Sequence, residues 1–182
     1  MKKRLGGFSK IHVAKLNEDG STYAAPIPVT GGKQIEAELN YESVQFYSDN
    51  AIDFNDFVFN GGEGTLTISG LTMDEYNTLF GSTVIAGSVL VKSTDIAPEL
   101  AILFERKKVS TQDKVLYAIY ACKFAPPAIS AQTMEGSIEE EVIELSFTVR
   151  EMADGSVFYM ADTEVADALI TDEWYSTVQK PA

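Results

Sequence analysis

The stretch QIEAELNYESVQFYSDNAIDFNDFVFNGGEGTLTIS, residues 34–69, opens on a strict alternation. Ile35, Ala37, Leu39 and Tyr41 take every second position, with Gln34, Glu36, Glu38, Asn40 and Glu42 on the other side. Successive side chains of a strand point to opposite faces, so 34–47 predicts a strand with one apolar and one acidic face. The pattern returns in TLTIS, where Leu66 and Ile68 oppose three hydroxyls. Between these ends, 48–63 reads as a long acidic-aromatic loop. It holds a short strand at 56–59 and turns at Gly61-Gly62, where glycine supplies positive φ.

The aspartates of this loop invite a metal-site reading, which their spacing fails. A calcium loop started at Asp53 finds Asn55 third, but Phe57 and Val58 fall on the next ligand and the required glycine. Gly61-Gly62-Glu63-Gly64 lacks the Lys-Ser/Thr that completes a phosphate loop.

Outward from this stretch the chain stays mostly β. Strands are predicted at 8–16, 100–109, 114–124 and 138–150, the middle two forming a hairpin around Ser110–Asp113. In the last, Ile143, Leu145, Phe147 and Val149 line one face, and Glu140, Glu144, Ser146, Thr148 and Arg150 the other. Prolines confine 24–29 to an edge or linker. One helix is expected at about 72–80: Thr72 caps it, Glu75 completes a capping box, and Gly81 ends it. Its stripe of Met73, Tyr76, Leu79 and Phe80 should pack on a sheet. A short strand, SVFYM, follows Ala153-Asp154-Gly155, and the tail from 163 should cap an edge. The expected fold is mainly β, an antiparallel sandwich or part-open barrel with one flanking helix, as one domain over 1–182.

Composition narrows the function. The chain of 182 residues carries 27 acidic against 14 basic residues, a net charge of −13, which repels a phosphate backbone. Apolar runs are broken by charge well short of a membrane span, and the basic start lacks an apolar signal segment. The single cysteine, Cys122, excludes an intrachain disulfide and suits a chain made in the cytoplasm. With one histidine, His12, and one cysteine, no zinc set forms and no nucleophile motif appears, so neither an enzyme nor a cofactor is expected.

The order of GGFSKIHVAKLNEDGSTYAAPIPVTGG (6–32), QFYSDN (45–50), GTLTISGLTMDEYNTLFG (64–81), LAILFERKKV, YAIYACKFAPP, LSFTVREMADGSVFYMAD and WYSTV (174–178) resembles the major tail proteins of long, non-contractile-tailed bacteriophages, in particular the phi13-type family. The resemblance spans most of the chain. It implies a tail tube subunit of the fold shared with contractile-phage inner tubes and the type VI secretion tube protein. Such subunits form stacked six-fold rings, a hollow tube for genome passage. It also implies a virion location after assembly in the bacterial host cytoplasm. Partners would be further copies of itself, the tape measure protein, the tail terminator and distal tail proteins. DNA would only transit, and no C-terminal immunoglobulin-like domain is expected. The alternatives are a type VI secretion-like ring, another virion β-domain of the head-tail junction or baseplate, and a ligand-binding β-sandwich.

Two residue sets follow. An acidic channel wall lets DNA slide, and alternation nominates Glu36, Glu38, Glu42, Glu140 and Glu144 as lumen-facing. The 48–63 segment, with Asp49, Asp53, Phe54, Phe57 and Phe59, is nominated as an inter-subunit element. The same phenylalanines could equally join the chain's own core.

Overall fold

The alternation at 34–47 does build a strand. In the computed structural model, which describes residues 4–109, 111–131 and 141–181, it is β3, Gly32–Ser48, antiparallel to β4, Ala51–Ile68. The segment expected as a long loop, 48–63, is therefore almost wholly strand. Its turn is only Asp49-Asn50, both at positive φ (49° and 63°), between the paired Ser48 and Ala51. Two residues in the left-handed region make the turn whose twist matches a hairpin, and Asp and Asn tolerate that region. Gly61-Gly62 does not turn the chain either. Gly61, at φ 79°, sits in a bulge where β3 advances from Leu39 to Tyr41 while β4 runs from Gly62 to Phe59.

Beyond this hairpin the sheet is antiparallel throughout. β4 pairs with β9 (Ile143–Val149), which pairs with β8 (Lys114–Phe124). β8 pairs with β7 (Leu100–Lys108), β7 with β1 (Leu5–Lys15), and β1 with the two-residue edge strand β2 (Ile27–Pro28). The eighth strand, β10 (Phe158–Asp162), also pairs with β8. A separate small hairpin joins β5 (Thr83–Ile85) to β6 (Ser88–Leu90).

β8 divides the sheet. Its first half, Val115–Ile119, carries β10, and its end, Cys122–Phe124, carries β9. The switch falls at Ala121, which holds φ 47° in a bulge opposite β7. Its polar groups stay satisfied: the N–H donates to the Tyr23 hydroxyl at 3.0 Å, and the carbonyl accepts from the Arg150 N–H at 3.3 Å. A bulge bends and twists its strand, and β9, β4 and β3 swing round until β3 returns to β1. There Gly32 meets Phe8 and Ile11 so closely that a Cβ would lie 2.0 Å from Ile11 Cδ1. The sheet thus closes at one end and gapes at the other, a part-open barrel. Leu66, Ile68, Leu100, Ile102, Cys122 and Leu145 fill it. The helix α1, Met73–Phe80, packs Leu79 and Phe80 on this core behind the expected Thr72–Glu75 capping box and Gly81 cap. Met73, expected on the packed stripe, is instead 47% exposed.

A second core covers the reverse of β1, β7 and β8. Small residues there (Ala14, Ala101, Ala118) leave room for Trp174, which is fully buried with its ring 5.4 Å from that of Tyr159 and tilted 33° to it. The tail therefore lies over a face rather than capping an edge. It runs through α2 (Ala168–Asp172) to Gln179, whose carbonyl accepts from the Tyr120 hydroxyl at 2.5 Å. Beside it, buried Lys108 meets Asp162 at 2.7 Å and Glu164 at 2.5 Å. Buried Glu105 accepts from Lys114, Ser9 and the Tyr175 hydroxyl.

Gly64 shows why glycines thread β4. A Cβ there would lie 2.4 Å from both the Glu36 carbonyl oxygen and Phe147 Cζ. Overfilling of this kind costs about 1–3 kcal/mol. Gly64→Ala should lower the denaturant midpoint accordingly, and an unchanged midpoint would refute the close packing.

Candidate functional site

The outer face of β3, β4 and β9 is built by register. Glu36 stands opposite Thr65, which stands opposite Ser146; Glu38 stands opposite Glu63, then Thr148, then Lys123 of β8. Gln34, Thr67 and Glu144 form a third row. The inward partners on the same strands, Ile35, Leu39, Leu66 and Leu145, face the barrel core. The result is a shallow depression of about 530 Å³ with acidic and hydroxyl walls and Lys123 as the cation of its lining.

Among the expected lumen residues, Glu36, Glu38 and Glu144 share this exposed face. Glu42 keeps the same side of β3 but lies past the bulge, opposite Val58, with the Asn60 amide 3.5 Å away. Glu140 lies outside the described residues. Glu63 belongs to the face and was hidden by the reading of Gly61-Gly62 as a turn; the alternation Glu63, Thr65, Thr67 was the signal. Like charges set directly opposite on a sheet repel, so Glu38 and Glu63 oppose each other at a cost to the fold. Glu63→Gln should raise unfolding stability by about 0.2–1 kcal/mol, measured by chemical denaturation. A loss would show that the pair is compensated.

The second part of the site is the outer half of the hairpin. β9 pairs with β4 only over Gly62–Ile68, so residues 41–59 project as an isolated two-stranded ribbon. One side carries Tyr41/Phe59, Ser43/Phe57, Gln45/Asn55 and Tyr47/Ile52 as cross-strand pairs; the other carries Glu42/Val58, Val44/Asp56 and Phe46/Phe54. Asp49 is in the turn, and Asp53 is the extra residue of a bulge near the tip, accepting from the Ser48 hydroxyl at 3.3 Å. Phe54 and Phe57 are exposed, and Phe59 is half-buried edge-on against Tyr41. None of the three enters either core. Tyr47 at 67% and Phe46 at 61% exposure show that both sides meet solvent.

The residues with nucleophilic or ligand chemistry stand apart from this face. His12 packs its ring 4.5 Å from that of Tyr175, tilted 38° to it, and Nδ1 lies 3.1 Å from the Lys10 carbonyl oxygen. Cys122 is in the barrel core, where burial pushes its thiol pKa well up. Among the described residues no group of three or more His, Cys, Asp or Glu is arranged to hold a metal. No described helix is long and apolar enough to cross a membrane.

No protein-family model matches the chain, and no curated protein sequence does. Solved structures similar to it include an anti-feeding prophage cap, the AFP tube terminating cap, at 10% identity and TM-score 0.48 over 84% of this chain and 87% of that one. Two others come from the PVC extracellular contractile injection system in its extended state. The sheath-tube complex matches at 11% identity and TM-score 0.47, covering 84% and 88% of the two chains. The sheath/tube terminator matches at 9% and 0.46, covering 84% and 93%.

Proposed function

We propose that this chain is a structural, non-enzymatic virion protein, a tail tube subunit whose copies form stacked hexameric rings around a channel for the genome. The observation that carries the reading is the projecting ribbon. Soluble monomers rarely leave contiguous large apolar groups in water, and an isolated two-stranded hairpin is only marginally stable alone. A ribbon with Tyr41, Phe46, Tyr47, Ile52, Phe54 and Phe57 all exposed suits a site that a neighbouring subunit covers. The acidic face supplies the other requirement. Glu36, Glu38, Glu63 and Glu144 set toward a lumen would repel phosphate and let DNA pass without holding it. Tape measure, terminator and distal tail proteins are the partners this role implies.

Negative-stain microscopy of the concentrated purified protein tests the reading. Long hollow tubes are expected, and a chain that stays monodisperse and monomeric at every concentration would sink it. In assembled tubes, reversing Glu36 and Glu38 to lysine should leave the rings intact and slow genome exit. Unchanged ejection would remove these residues from the lumen.

A further inference from the structure

The open end of the barrel is lined by aromatic and aliphatic groups: Phe8 of β1, Ile35 and Leu39 of β3, Phe104 of β7, Tyr117 of β8 and Phe158 of β10. The cavity is about 610 Å³, the size of sites that enclose a ligand group. Phe104 and Tyr117 stack with centroids 4.9 Å apart, and Phe8 meets Phe104 edge-on at 5.5 Å, so much of the wall is pre-formed. Phe158 remains 49% exposed at its lip. Among its described lining residues Arg106 is an exposed cation and none is a carboxylate, in a chain whose acidic residues outnumber its basic ones about two to one.

The ribbon is complementary to this mouth in both respects. Residues 41–59 hold Glu42, Asp49, Asp53 and Asp56 and no lysine or arginine, and their large apolar side chains face water. The ribbon also starts beside the mouth, because Tyr41 lines a small depression with Phe158 and Tyr159. From there a paired ladder runs eight residues to Asp49, carrying the tip on the order of 25 Å away. The paired ladder carries the tip away from its own cavity, and the same tip on another copy offers the complementary surface.

We propose that the mouth framed by β1, β3 and β10 receives the tip of the β3–β4 ribbon of a second copy. Tyr47 and Ile52 enter the aromatic cavity, and the Asp53 carboxylate meets Arg106 at its rim. The contact is heterologous, a tip on one copy and a mouth on the next, so it propagates rather than closing a two-fold dimer. This inference rests on the self-assembly reading and specifies its contact.

Two measurements test it. Tyr47→Cys and Phe158→Cys chains, mixed and mildly oxidised, should give a disulfide-linked dimer of the two variants; native Cys122 is fully buried and does not compete. Separately, Arg106→Glu and Asp53→Lys should each raise the concentration needed for assembly about tenfold, and the double variant should largely restore it, as expected for a close charge pair. A wild-type chain that assembles, gives no cross-link from the mixed variants and tolerates Arg106→Glu overturns this docking and leaves self-assembly standing. A wild-type chain that never assembles overturns the self-assembly reading beneath it.

Discussion

Trp174→Ala should cost about 3–5 kcal/mol of unfolding free energy, the range for truncating a large buried aromatic. Trp174 is fully buried among small residues of β1, β7 and β8, with the Tyr159 ring tilted beside it. Alanine would leave a cavity lined by Ala14, Ala101 and Ala118, which have no side chain long enough to fill it. The effect should centre on the tail, because Trp174 is its deepest anchor. As the only tryptophan of the chain, it also reports on itself: its emission should be blue-shifted in the folded protein and move red when the tail lifts. A carboxylate that holds the tail adds a pH dependence: the hydrogen bond from Lys180 lowers Asp154 to about 2. A carboxylate lowered in the folded state stabilises above its unfolded pKa, near 4, and that contribution is lost as pH falls through the folded value. The red shift should therefore develop between about pH 4 and 2. Calorimetry showing a loss under about 1 kcal/mol for Trp174→Ala would mean the tail is not an integral layer of the fold.

Local chemistry made some elements legible and hid others. The helix could be read because Thr72, Glu75 and Gly81 are end signals that act through their own backbone neighbours. β8 is expected at 114–124 and runs Lys114–Phe124, since its long apolar run lies between the polar turn at 110–113 and Pro126-Pro127, which cannot continue a ladder. Of the ribbon, the arms at 41–47 and 56–59 are read as strand from the sequence, while the paired tip between them is not. Toward the tip Phe46, Tyr47, Ile52 and Phe54 put apolar groups on both sides, which erases the period of two there. A partner that buries both faces would ask for that composition. Its Asp49-Asn50 turn also lacks the glycine that usually marks a tight hairpin. Conversely, Gly61-Gly62 looked like punctuation. Glycine is needed there because a Cβ on Gly62 would come within 2.7 Å of the Glu38 carbonyl oxygen, and a close interstrand approach leaves no trace in one sequence. Three of the four carboxylates on the acidic face, Glu36, Glu38 and Glu144, are visible from alternation in β3 and β9. Glu63 was lost only because its strand was read as a turn.

Removing the ribbon should separate folding from assembly more sharply than any point change. A variant in which residues 44–56 are replaced by a two-residue Asn-Gly turn keeps Tyr41 and Phe59, whose edge-on contact closes the base, and keeps every pair between β4 and β9. The excised residues contribute to neither core, so the loss of stability should stay within about 1 kcal/mol. Assembly, by contrast, should fall below detection. The removed segment carries Phe46, Tyr47, Ile52 and Phe54, all exposed in the single chain, and loss of a few such central anchors is enough to abolish most interfaces. Sedimentation velocity should show a folded monomer at concentrations where the parent chain forms tubes. It should also be more soluble than the parent, since the exposed aromatic surface is gone. Tubes of normal appearance from this variant would place the assembly contacts elsewhere on the molecule. Its unfolding would show instead that the ribbon supports the barrel, which the register of β3 and β4 beyond the Leu39–Tyr41 bulge argues against.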